Sequence, residues 1–211
     1  MDLNQLQTQL KAYLVKHFPA NDGAHDLGHF DRVYKIACEI AKNYPESKLE
    51  VILPACYLHD IVNLPKNHPD RSIASKMSAI RSEQILMFMN YPKNLISEVK
   101  HAIECHSFSA GIIPNSIEAK IVQDADRLES LGAIGVARVF YISGKMHGQL
   151  FNSENPDPQD RVRDDKRFAL DHFHEKLYKL PEMFQTEFGK KMAFERVEFM
   201  KDFEKKLLSE I

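Results

Sequence analysis

Residues 51–61 read VILPACYLHDI, a run without a charged or strongly polar side chain until His59 and Asp60 close it. Apolar residues on every face, rather than on one stripe, predict a helix enclosed by other helices. Pro54 fits the first turn of such a helix or marks a kink in it. The histidine and aspartate then need partners, because an ionised group buried alone shifts its pKa until it neutralises. Residues 55–65, ACYLHDIVNLP, thus predict a buried helix whose end points two ionisable groups at something that compensates them.

The same period runs outward from this stretch. Leu3, Leu6, Leu10, Leu14 and Phe18 recur at three- and four-residue steps before Pro19 interrupts. Val33, Ile36, Ala37, Ile40 and Tyr44 place a second helix over about 29–44, ahead of the buried one at 48–61. Further helices are predicted at 70–90 (Ile73, Met77 and Ile80 inward), 94–107, 116–143, 165–179 and 187–210. Alternating strand patterns and internal repeats are absent from the sequence. Residues 144–164, rich in Gly, Asn, Asp and Pro, form the one long irregular stretch, of a length that suits a lid, a functional loop or a divider. The expected architecture is all-α: one helical bundle over 1–211, its chemical core at about 20–143 and its C-terminal helices at 165–211.

Composition narrows the function classes. Hydrophobic residues are 44% and charged residues 27% of 211, which suits a folded domain and argues against disorder. A formal net charge of -2 supplies no basic footprint for nucleic acid or an acidic membrane. Cys38, Cys56 and Cys105 are odd in number, lack C-x-x-C spacing and sit in helical patterns, so reduced thiols in a cytoplasmic protein are expected. No segment has the ~18 apolar residues of a membrane span. The amphipathic N-terminus does not read as a secretory signal.

Chemistry is expected where ionisable side chains interrupt apolar stripes. His29 precedes Val33, Ile36 and Ile40 on one face; His59 and Asp60 follow Ile52 and Cys56; Asp124 lies on the stripe Ile117, Ile121, Leu128 and Leu131. Two imidazoles and two carboxylates from three helices make a mixed N/O set suited to Mn²⁺, Fe²⁺, Ni²⁺, Zn²⁺ or Mg²⁺. The plainer reading of each residue taken singly is a hydrogen-bonded core group or a helix cap. Asp126 and Arg127 are expected to point away from the face of Asp124 and to form a structural ion pair. His106 ends a helix as a substrate-binding or ligand-orienting candidate, with a capped structural histidine as the alternative. His25 is a candidate for the site entrance, and Asp26 for the N-cap of the helix at 29.

These residues lie in segments that resemble a known family. His29, His59-Asp60 and Asp124 reproduce the ordered H…HD…D signature of the HD-domain metal-dependent phosphohydrolases. HDLGHFDRVYKIA (25–37), YLHDIVNLPKNHPDR (57–71), HSFSAG (106–111) and QDADRLESLGAIGVAR (123–138) look like a small, stand-alone bacterial branch of it. The resemblance implies a helical bundle in which His29, His59, Asp60 and Asp124 hold one divalent ion, whether Mn²⁺, Mg²⁺, Ni²⁺, Fe²⁺, Co²⁺ or Zn²⁺. It implies hydrolysis of a phosphate ester or anhydride by metal-activated water, on a small phosphorylated substrate of nucleotide type. That branch is associated with release of pyrophosphate from (deoxy)nucleoside triphosphates.

Phosphoryl transfer needs cationic donors around the phosphate, and LPKNHPDR follows the His-Asp pair directly. Lys66, Asn67, His68, Arg71 and His106 are the candidate substrate contacts; Asp60, His68 and Lys66 are the candidate catalytic groups. Solvated loop charges, with Asp70 capping the next helix, are the plainer alternative. One departure is visible: the nucleotidase branch carries a Glu three residues after the motif Asp, and this chain has Asn63, which cannot act as a general base. Two other readings remain open from sequence, a two-metal oxygenase and a metal-stabilised binding module without catalysis. Homo-oligomers are compatible with the sequence, and neither a membrane nor a nucleic-acid partner is expected.

Overall fold

The computed structural model describes residues 2–18, 27–64, 68–107 and 110–211. It is all-α: the only β feature among the described residues is an isolated bridge between Gln149 and Phe168. The helices are α1 (Leu3–His17), α2 (Leu27–Ala41), α3 (Leu49–Leu58), α4 (Ala74–Phe88), α5 (Ile96–His106), α6 (Ile117–Leu128), α7 (Gly132–Lys145), α8 (Asp171–Glu175) and α9 (Glu187–Leu208), with short 3₁₀ turns before α4 and α5 and after α8. No helix is long and apolar enough to cross a membrane among the described residues. The chain forms two compact units, Met1–Asp126 and Arg127–Ile211. The division falls within α6, not in the irregular stretch that follows α7.

In the first unit α3 is the central element. Val51 to Leu58 are all buried, and α1, α2, α4 and α5 pack around them. Pro54 sits in the helix interior, not in the first turn, so it gives no N–H to the Glu50 carbonyl four residues back. The Tyr91 hydroxyl takes that acceptor at 2.7 Å, so the helix continues past its proline. At its start, the buried Glu118 carboxylate accepts the Lys48 N–H at 3.1 Å, where an anion also favours the helix dipole. α1 is tied to the back of α2 and α3 by polar contacts. Gln7 Nε2 donates to the Tyr57 hydroxyl at 2.8 Å, Tyr57 donates to Asp31 at 2.5 Å, and Lys11 pairs with Asp31 at 2.8 Å.

α4 departs from its sequence pattern. Ile73, Met77 and Ile80, expected inward, are exposed, and so are Met87 and Phe88. The inward positions go to Ser75, Ser78, Ala79, Ser82, Ile85 and Leu86. Backbone groups beyond the end of α3 need hydrogen-bond partners there, and hydroxyls supply them where methyls could not.

The predicted helix at 116–143 is two helices. Gly132, at φ +71°, turns the chain between them, and a Cβ on Gly135 would lie 2.3 Å from the Ser130 carbonyl oxygen. In the second unit α7 packs on α9, which also receives the 3₁₀ segment after α8. The stretch after α7 is anchored: Arg161 forks onto the fully buried Asp171 carboxylate at 2.6 and 2.7 Å, and Asp171 also accepts the Asp164 N–H at 2.6 Å. Helix over 165–179 is confined to α8 and the following 3₁₀ turn.

Candidate metal centre

Five metal-competent side chains of the first unit converge. His29 lies in the first turn of α2, His59 and Asp60 follow the last residue of α3, His106 ends α5, and Asp126 lies in the last turn of α6. His29 Nε2 and His59 Nε2 are 3.2 Å apart. Asp126 Oδ1 lies 3.5 Å from the first and 3.6 Å from the second. Asp60 Oδ2 is 3.8 Å from His59 Nε2, and its Oδ1 is 3.3 Å from His106 Nε2. His29, His59, Asp126 form one group whose donor atoms lie within 4.8 Å of one another, and His59, Asp60, His106 form another. The three imidazoles are buried, while the carboxylates of Asp60 and Asp126 keep 22% and 27% of their surface, so the anionic groups stand at the mouth.

Helix ends fix two of the rings. The last carbonyls of a helix lack intrahelical donors; the Cys56 carbonyl takes His59 Nδ1–H at 2.8 Å, and the Ile103 carbonyl takes His106 Nδ1–H at 2.6 Å. A carbonyl can only accept, so the neutral tautomer carries its proton on Nδ1 and directs an Nε2 lone pair into the site. The ring of His59 is walled edge-on by Phe30 at 5.5 Å and by His106 at 4.8 Å between centroids.

Without a cation, the cluster holds a proton. Burial opposes charge on His59, but the Asp60 carboxylate, the Asp126 carboxylate and the Cys56 carbonyl outweigh it and raise the pKa from 6.5 to about 9. Burial would raise Asp60 and Asp126, yet His59 beside each, helped by His106 and His29, holds both well below the usual carboxylate range. A site that retains a positive charge this strongly, lined by imidazole nitrogens and carboxylate oxygens, fits a divalent cation of the borderline class. His29, His59, Asp60 and Asp126 would hold it.

The structure thus brings His29, His59 and Asp60 together, with Asp126 rather than Asp124 beside them. Asp124 is fully buried but joins neither group of donors. Asp126, two residues on and about 200° around the helix, meets the histidines, and Arg127 donates to the Met183 carbonyl. The reason is that α6 is buried on both sides, with Ile121, Ala125 and Leu128 on one and Ala119 and Val122 on the other. Ala119, Val122 and Asp126 share a face at i, i+3, i+7, and this second stripe is the signal that would have found the residue. His106 lies against Asp60. His68 joins neither donor group; its Nδ1 accepts the Asp70 N–H at 3.1 Å. Arg71 donates to the Leu64 carbonyl. Lys66, Asn67, His25 and Asp26 lie outside the described residues.

A family model described as the HD domain matches residues 26–131, a span that contains every residue of this cluster. The chain belongs to the HD-domain family. Among relatives, YpgQ of Bacillus subtilis (strain 168) is 30% identical over 208 residues, which are 96% of this chain and 92% of that protein. The crystal structure of YpgQ aligns over 100% of this chain and 98% of its own, with a TM-score of 0.76 and 29% identity. YpgQ in complex with ADP aligns with a TM-score of 0.72 at 29% identity over the same shares. A Bacillus thuringiensis protein described as an HD-superfamily hydrolase aligns over 99% of this chain and 95% of its own, with a TM-score of 0.72 and 28% identity.

Proposed function

We propose that this HD-domain protein is a divalent-metal-dependent phosphohydrolase acting on a nucleotide, with release of pyrophosphate from a (deoxy)nucleoside triphosphate as the specific reaction. The observation that carries the reading is the meeting of His29 Nε2, His59 Nε2 and Asp126 Oδ1 with Asp60 alongside. The ADP complex of YpgQ supports a nucleotide as the substrate class. When bound, the ion lowers the pKa of coordinated water and polarises a phosphoryl oxygen.

The protein's own residues do the rest. The Cys56 carbonyl holds the His59 ring in its ligating orientation. Asp60 turns one oxygen toward His59 and offers the other to His106. The buried His106 imidazole beside Asp60 is placed to give a proton to a departing phosphate oxygen. Asn63 gives the site no carboxylate base, so proton transfer falls to His106 or His68. Arg71 spends one of its five N–H donors on the Leu64 carbonyl and keeps others for phosphate.

The second donor group invites a two-ion reading, but both groups need His59 Nε2, which has one lone pair. One ion among five donors is the arrangement the geometry favours, and this counts against a di-metal oxygenase. The test is a screen of nucleotides and phosphoesters with Mn²⁺, Mg²⁺, Ni²⁺ and Co²⁺, reading phosphate and pyrophosphate separately. Metal per chain is counted in parallel. Pyrophosphate release from a nucleoside triphosphate is expected. No release from any pair, with metal bound, would leave a binding module.

A further inference from the structure

We propose that Ser78 on α4 is a positioning residue for the metal centre, acting through the backbone of the turn that carries His59 and Asp60; this rests on the metal-centre reading above. That turn lies beyond the last residue of α3, where regular helix bonding stops. Ile61 N–H still reaches the Leu58 carbonyl at 3.2 Å. Val62 N–H turns to α4 and donates to Ser78 Oγ at 3.1 Å, and the same oxygen lies 3.4 Å from the Val62 carbonyl. One turn along, Ser82 Oγ donates to the Ser78 carbonyl at 2.7 Å and lies 3.5 Å from the Leu58 carbonyl. Ser78 thus holds the far end of the segment from Leu58 to Val62, and Ser82, whose single hydroxyl hydrogen goes to the Ser78 carbonyl, packs beside the near end, with the two ligands between them.

Both serines are fully buried, in positions where a helix in a core ordinarily places Ala or Leu. Alanine at 78 would improve helix propensity and leave no polar group to satisfy. A hydroxyl there is explained by the backbone groups that it holds. Ser75, on the same face, provides a contrast, since its buried hydroxyl has no hydrogen-bond partner.

Wild type, Ser78→Ala, Ser78→Thr and Ser75→Ala decide the matter by two measurements. The first is amide hydrogen exchange of the metal-free protein. Val62 is expected to exchange roughly tenfold faster or more in Ser78→Ala, and at near wild-type rates in Ser78→Thr and Ser75→Ala. The second is a Co²⁺ titration followed by visible absorption, which reports ligand geometry independently of turnover. Ser78→Ala is expected to bind about 10–100-fold more weakly, the range for lost outer partners of metal ligands, with an altered spectrum. Its melting temperature should fall modestly, because the Val62 N–H loses its acceptor, and Ser78→Thr should recover melting temperature, affinity and spectrum. The proposal is overturned by unchanged exchange in Ser78→Ala, or by faster exchange with wild-type Co²⁺ affinity and spectrum. Equal weakening in all three variants with parallel losses of melting temperature also overturns it, since that describes packing alone. A wild-type protein that binds no Co²⁺ removes the metal centre itself, and this shows before any variant is made.

Discussion

Replacing Asp126 by Asn while leaving Asp124 intact separates two carboxylates that stand two residues apart. The field at the centre can be read from His59, whose pKa rises from 6.5 to about 9 although burial opposes its charge. At about 1.4 kcal/mol per pKa unit, that shift means at least about 3 kcal/mol of net attraction for one positive charge. Asp60 and Asp126 are the anions in contact with the ring, so each supplies on the order of 2 kcal/mol. A dication feels roughly twice that field, so Asp126→Asn should weaken metal binding by about two to three orders of magnitude, at 1.4 kcal/mol per tenfold. Asp124→Asn, whose side chain is outside both donor groups, should leave the dissociation constant almost unchanged even if it lowers stability. Calorimetric titration with Mn²⁺ measures both variants. The His59 resonance of metal-free Asp126→Asn should titrate nearer the ordinary histidine value. Loss of metal binding in Asp124→Asn, with Asp126→Asn behaving as wild type, would refute the geometry.

Because His59 carries a proton up to about pH 9 in the metal-free state, metal binding must displace it. Affinity should rise between about pH 6.5 and 9, with close to one proton released per ion near neutrality, measured by calorimetry in buffers of different ionisation enthalpy. The sign for stability is the opposite: the contribution of His59 to the metal-free fold is complete below pH 6.5 and is lost as pH rises through about 9, which urea unfolding across that window would show. Tyr91→Phe leaves the Glu50 carbonyl inside α3 without its donor and should cost about 1–3 kcal/mol, read from the urea midpoint. Arg161→Ala strips the fork from the fully buried Asp171 and should cost about 3–5 kcal/mol by the same measurement; a loss below about 1 kcal/mol would mark that pair as replaceable.

The helical nature of the chain and the places of His29, His59 and Asp60 were legible because each depends on local period alone. Asp126 was not. QDADRL offers two aspartates, and α6 buries residues on opposite sides, so a stripe gives the phase of the helix without saying which neighbour faces it. The inversion of α4 was hidden for a related reason. Its inward Ser78 answers a backbone N–H of a turn 16 residues earlier, a demand that no window around α4 contains. Pro54 inside α3 depends in the same way on Tyr91, a partner 41 positions from the carbonyl that it rescues.

The inner face of α4 also bears on any attempt to engineer this protein. A scheme that ranks substitutions by core burial and helix propensity would replace Ser75, Ser78 and Ser82 with alanine or leucine and would exchange Ile80 or Phe88 for charged residues. Some of those changes would raise the melting point. At Ser78 they would also release the Val62 backbone, so thermal robustness and ligand placement pull against each other on a single helix. Stabilising changes therefore belong elsewhere, for instance at Ser75, whose hydroxyl has no hydrogen-bond partner among the described residues.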